Sequence, residues 1–315
     1  MDVSLALSRV GEVAHVRRLR ALGVDERSVY GAMESGHIRR VRPGWYASAL
    51  ADVDQCRAVL SGARIGCVSA LNRLGIWSGR DRALHLHYEP SAIVRQPPSR
   101  LDAGPQAVAH PFATRRARPR LTDSHLSTVR HWTRERLPEG AFDWIVSAQM
   151  AAAEALVCQD EETGEAIIDS LLHEKLMPRR ALDGFLQSIP VRHRPAIDAH
   201  TGIPQSGVES IFLRRAQRAG FEVTPQYRHP LGGAYDGIIN GCVLYEIDGF
   251  EFHSSAETFF DDRDRSLRSQ AIGLPVIRPS ARHVLDDWPM VLTAIERAVA
   301  DAEALIRLRG RLRAG

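Results

Sequence analysis

Asp236, Glu246 and Asp248, with Glu209 upstream and His253 downstream, are the residues whose types and spacing could do chemistry. Glu246 and Asp248 stand two apart in an alternating segment, so strand geometry points both side chains to one face. A tight turn at Asn240-Gly241 folds that segment back and brings Asp236 alongside. Carboxylates gathered in a poorly solvated place repel one another by on the order of several kcal/mol unless a divalent cation intervenes. Mg²⁺, or Mn²⁺, is therefore the expected cofactor, and Glu209 could add a further carboxylate to its shell. His253 titrates in the range of a general base working near neutral pH. Arg263, Arg265 and Arg268 follow, and Arg265 and Arg268, three apart on a helix, share a face that could meet phosphate. Acids for a metal, a base for water and cations for a strand are the needs of phosphodiester hydrolysis.

The elements that must position these residues are legible around them. Ser206 to Ser210 opens an amphipathic helix with Val208, Ile211, Phe212 and Leu213 on its apolar face, ending at Gly220. A strand at Phe221 to Val223, a hairpin of Tyr235–Ile239 with Val243–Ile247, a helix from about Ala256 to Ile272 and a last strand at Pro275 to Arg278 follow. That order predicts an α/β domain with a mixed sheet over residues 201–315.

Residues 1–50 read as a winged helix-turn-helix. Val13 to Ala21 has helical spacing, Leu22 to Val24 turns, and Asp25 or Ser28 caps a second helix running through Met33 and Glu34. Ile38 to Tyr46 then makes two short strands around Pro43-Gly44, a basic wing whose Arg39, Arg40 and Arg42 suit phosphate contacts. The alternative is a wing that faces protein, with its arginines a solvated strand edge.

Residues 51–200 form a mixed, mostly helical connecting region. Cys56 to Leu74, Phe142 to Val157 and Glu165 to Leu176 read as helices and Ala83 to Tyr88 as a strand. The arginine run from Arg115 to Arg120 reads as an exposed loop, solvated or touching phosphate. His85 and His87 would share a strand face, as metal ligands could, but no third ligand is evident nearby in the sequence. Cys56, Cys67, Cys158 and Cys242 lie far apart without a CxxC pair, and are read as buried apolar residues rather than a zinc ribbon or a disulfide framework.

The whole is thus expected to be an α+β multidomain protein of 315 residues with ordinary globular composition, 44% hydrophobic and 25% charged. No apolar stretch approaches the roughly 20 residues of a membrane span, and no secretory signal is visible, so a cytoplasmic protein without a membrane partner is expected. Net charge is only +3, yet all basic residues but Lys175 are arginine, a bias that the composition of a high-GC genome explains more readily than a need for bidentate phosphate contacts.

Two resemblances sharpen these readings. The N-terminal order, with its "RRVRPGWYA" hairpin, resembles the winged helix of AbiEi-family antitoxins, which are DNA-binding autoregulators. The strings "SGVESIFLRRAQRAGF", "YDGIINGCVLYEIDGFEFH" and "DRDRSLRSQAIGLPVIRPSARHV" resemble the very-short-patch-repair (Vsr)-like branch of the PD-(D/E)xK nucleases, with their restriction-endonuclease-like fold. That likeness implies Asp236 and Glu246 as metal ligands, Glu209 as the helical acid, His253 as the base, and Asp248 in the position that the superfamily gives to lysine. It implies a Mg²⁺-dependent endonuclease acting on DNA, in phage defence, repair or mobile-element maintenance. Nothing in the sequence distinguishes DNA from RNA by the sugar, and oligomeric state is open, a homodimer included. The alternative is an antitoxin-type transcriptional regulator whose nuclease-like domain is catalytically silent.

Overall fold

The computed structural model describes residues 1–98, 100–123, 125, 127–132, 142–195, 200–230, 233–248 and 273–314. The described chain is mixed α+β, and its contacts divide it into two compact units, Met1–His200 and Thr201–Gly315.

The first unit opens with α1 (Val3–Arg9), β1 (Val13–His15), α2 (Val16–Ala21), α3 (Glu26–Glu34), β2 (Ile38–Arg42) and β3 (Trp45–Ser48). Asp25 caps α3 by accepting from Ser28 N. The three strands form an antiparallel sheet in the order β1-β3-β2, with Val13 opposite Ala47. Sequence spacing predicts one helix over 13–21, but its first three residues are β1. Val13 and Ala14 are buried there, and pairing with β3 completes the sheet at the cost of one helical turn.

The same unit continues through α4 (Val53–Ser61), β4 (Arg64–Ile65), α5 (Cys67–Leu74), β5 (His85–Tyr88), β6 (Val129–Trp132), α6 (Ala148–Cys158), α7 (Glu161–His173) and α8 (Arg179–Gln187). The expected helix over 56–74 is therefore two, separated by Gly62 in the left-handed region (φ 80°) and by β4. The expected helix from Phe142 starts at Ala148, capped by Ser147, because Phe142 and Ile145 form β-bridges instead. A second sheet, β4-β5-β6, pairs β4 with β5 antiparallel and β5 with β6 parallel. One apolar core runs from Val3 to Ile189. Trp144 ties its parts together by donating from Nε1 to Val10 O at 2.8 Å, and it covers Gly11, where a Cβ would come 2.8 Å from the ring.

Within this core lies an ionic knot. Arg73, only 2% exposed, contacts Asp52 at 2.7 and 3.1 Å and Asp54 at 3.5 Å. Asp52 and Asp54 in turn accept from Val108 N and Thr122 N, so the knot anchors two otherwise irregular stretches.

The second unit comprises α9 (Gly207–Arg218), β7 (Val223–Arg228), β8 (Ala234–Ile239), β9 (Val243–Tyr245), β10 (Val276–Ile277), α10 (Ala281–Asp286) and α11 (Trp288–Ala314). Its four strands form a mixed sheet in the order β10-β9-β8-β7, with β9 and β10 parallel and the other pairs antiparallel. Asn240 and Gly241 both adopt positive φ (47° and 64°) in the tight β8–β9 turn. α9 packs Phe212 on Tyr245, ring centroids 4.5 Å apart. β7, last in the strand order, carries Pro225 and then Gln226 at φ 53°. No described helix is long and apolar enough to cross a membrane.

Candidate functional site

Glu209, Asp236 and Glu246 are carried to one end of the four-stranded sheet, although among the described residues no three carboxylates come close enough together to hold a metal ion. Asp236 lies near the start of β8, and since Gly237 pairs with Tyr245, the register carried one step further sets Asp236 against Glu246. Glu246 lies just past β9, and its N–H donates to Ile277 O at 3.1 Å. Glu209 comes from the first turn of α9, whose N-cap Ser206 accepts from Glu209 N. Asp248 continues alongside β10, its N–H on Pro279 O and its carbonyl accepting from Ala281 N.

Glu209 and Asp236 are close enough to perturb each other. Burial, and then the charge of Asp236, push the Glu209 carboxyl above the usual carboxylate range. Burial, with the same two acids behind it, raises the Tyr245 hydroxyl beneath them. Asp236 Oδ2 is fixed by Ile247 N–H at 2.7 Å. Glu209 Oε2 accepts from Gln205 N at 2.9 Å and from Gln226 Nε2 at 3.0 Å. Gly237 lets the Tyr245 ring lie beside the acids, for a Cβ there would strike both the ring and Thr224 O.

Two residues at this end escape the sequence reading. Arg278, one residue past β10, forms an ion pair with Glu246 at 2.9 Å, so part of the acidic charge is met by a protein cation. Gln226, opposite Asp236 across β7 and β8, holds Glu209 from a left-handed backbone that is strained for a residue with a side chain. His253, Arg263, Arg265 and Arg268 lie outside the described residues.

In the first unit the three arginines of β2 have different surroundings. Arg40 is exposed. Arg42 stacks on Trp45 at 5.2 Å, and burial, then the neighbouring Arg95, disfavour its cation. Arg39 departs from the expected phosphate contact: its guanidinium donates to Ser48 O at 2.9 Å and approaches Cys56 Sγ at 3.3 Å. Arg39 and Arg40 are neighbours on β2 and so face opposite ways, and Arg39 falls on the side where Ser48 O and Ala51 O accept from it.

The structure corrects the sequence reading of Cys67, Cys158 and His85, while Cys56 and Cys242 are buried as expected. Cys67, His85, His131 and Cys158 converge with one ligand atom each within 4.8 Å of all the others, and together could hold a metal ion. Cys67 and Cys158 are thus not isolated apolar residues. His85 does have further ligand-type neighbours, one on the parallel strand β6 and two from helices. His87 does not join them; its Nδ1 meets Glu154 Oε1 at 2.6 Å. Hydrogen bonds from Cys67, then His131 and His85, hold the Cys158 thiol far below the ordinary thiol range, and burial pushes the Cys67 thiol up.

No family model matches the chain. No curated protein matches it either. Among solved structures, the RV2827C protein from Mycobacterium tuberculosis is similar at 16% identity over 68% of this chain and 75% of that one, with a TM-score of 0.20, too low to inform fold or function.

Proposed function

We propose that the chain is a Mg²⁺- or Mn²⁺-dependent DNA endonuclease with a winged-helix DNA-binding module at its N-terminus and a PD-(D/E)xK-like, Vsr-type domain over residues 201–315. One observation carries the catalytic reading: Glu209 and Asp236, from different elements, sit together at a sheet end in mutual repulsion. Partly buried carboxylate oxygens in that state fit a hard divalent cation. When bound, the ion would neutralise charge on the phosphodiester and make water a better nucleophile. Asp236 stays oriented by Ile247 N–H, and Gln205 and Gln226 hold Glu209 in place. The buried Tyr245 ring keeps bulk water from the underside of the acids. Arg40 and Arg42 of the wing supply backbone affinity, with Arg42 and Arg95 as a like-charged pair that a phosphate would relieve.

A second reading, a DNA-binding regulator with a silent C-terminal domain, draws support from the Glu246–Arg278 ion pair, which lessens the need for a cation. Cleavage of supercoiled plasmid and of RNA by the full chain with Mg²⁺, Mn²⁺ or EDTA separates the two. Metal-dependent DNA cutting that falls by about a hundredfold or more in Asp236→Asn is the expected result. Asparagine can still accept from Ile247 N–H, so the variant should fold. Absence of cutting in every metal, with Asp236→Asn behaving as the native chain, would favour the regulator.

A further inference from the structure

We propose that Cys67, His85, His131 and Cys158 form a closed, structural zinc site in the first unit, separate from the acidic site. A four-coordinate zinc ion with two thiolates and two imidazoles needs ligand atoms at the corners of a tetrahedron, with edges of about 3.3 to 3.8 Å from the usual Zn–N and Zn–S bond lengths. Here His85 Nδ1 and His131 Nε2 are 3.0 Å apart, Cys158 Sγ and His85 Nδ1 are 3.9 Å apart, and no pair in the set exceeds 4.8 Å. These distances bracket the tetrahedral edges, so small side-chain shifts suffice to close the four donors on an ion. Two sulfur and two nitrogen donors select zinc over magnesium or calcium, whose preferred ligands are oxygen.

The surroundings are those of a metal site rather than of a chance cluster. His85 is fully buried, and its outer nitrogen, Nε2, lies 3.0 Å from Asp81 Oδ2, which leaves Nδ1 aimed at the cluster. Gln159 Nε2 lies 3.5 Å from both Asp81 Oδ2 and Cys158 Sγ. Cys67 begins α5 at φ 47°, an unfavourable backbone for a residue with a side chain, and its N–H is pinned by Glu154 Oε2 at 2.8 Å. Gly66 before it has no room for a Cβ, which would meet that same carboxylate at 2.5 Å. The His85 and His131 rings stack at 5.3 Å, brought together by the parallel β5–β6 pairing.

All four positions are filled by protein, so the ion has no open site for a substrate and its role is structural. It fastens the start of α5, the strands β5 and β6, and the end of α6. The sheet it clamps is small, with β4 only two residues long and β5 and β6 four each.

Elemental analysis of the purified full chain is expected to find one zinc per molecule. Replacement by Co²⁺ should give the intense visible absorption of a tetrahedral thiolate-bound ion. Cys158→Ser, at the exposed edge of the cluster, and His131→Asn should each lose or sharply weaken the metal, while Asp236→Asn keeps it in full. Should a ligand variant fail to fold, the native chain decides the matter: stripping with a strong chelator must lower its melting temperature, and added Zn²⁺ must restore it. A native chain without zinc or a cobalt spectrum, a Cys67–Cys158 disulfide found by mass spectrometry, or zinc retained in both ligand variants would overturn the assignment. Loss of plasmid cutting with zinc still bound would count against the nuclease reading alone.

Discussion

His110 shows how a single buried ring writes a pH dependence into the fold. It is 5% exposed, and Phe112 N–H donates to its Nδ1 at 2.9 Å, which requires a lone pair there and so a neutral imidazole. Burial lowers its pKa from 6.5 to about 4. The folded value lies below the unfolded one, so between those two pH values the unfolded chain binds the extra proton. Stability conferred by this residue is therefore complete above about pH 6.5 and is lost as pH falls toward 4, by up to about 3 kcal/mol. Urea unfolding of His110→Asn, whose side chain can still accept from Phe112 N–H, should show a flatter pH profile across that window. An unchanged slope would place the titration elsewhere. None of this was visible in the sequence, because burial of His110 depends on Phe112 and Phe142 closing around it. The acids were easier: Glu246 and Asp236 declare themselves by alternation and a tight turn, whereas the strained backbone of Gln226 leaves no mark in residue type.

At the scale of elements, sequence signals served where contacts are local and failed where they are not. The Asp25 cap of α3, the Pro43-Gly44 hairpin and the Asn240-Gly241 hairpin all depend on neighbours in sequence, and all are found in place. β1 and β4 were missed because strands of three and two residues exist only through partners far along the chain. The cysteine–histidine cluster was missed for the same reason: its members come from four elements. Under the proposed DNA binding, Arg40→Ala with Arg42→Ala and Arg95→Ala should cut its salt dependence by up to about three charges' worth of slope. Arg39→Ala should leave that slope alone and lower the melting temperature, since its hydrogen bonds go to protein. A reduced slope for Arg39→Ala would mean that its guanidinium swings outward to DNA. In the core, Arg73→Met strands Asp52 and Asp54 without their cation, at a cost of about 3 to 5 kcal/mol measured by denaturant unfolding. Near-native stability of that variant would show that the acids take up protons instead.

For the whole molecule, the two proposed metal sites lie in different compact units, so two separable metal responses are expected. Calorimetry of the full chain should show Mg²⁺ or Mn²⁺ raising the transition of the unit with the carboxylates, through binding to the folded state alone. A zinc chelator should lower the other transition and leave the first in place. Asp236→Asn should erase only the Mg²⁺ response. A single transition moved by both treatments would show that the units unfold together.

β7, outermost of the described strands in its sheet, has a bearing on behaviour in concentrated solution. Asn240 N–H donates to Glu222 O, and the alternation of an antiparallel ladder then turns the backbone of residue 225 away from β8. At that position the residue is proline, so the rim lacks one of the donors with which a stray strand would register, and Gln226 next to it bends the line of those that remain. The same irregular backbone that lets Gln226 reach Glu209 thereby guards the sheet against growing, strand upon strand, into an aggregate.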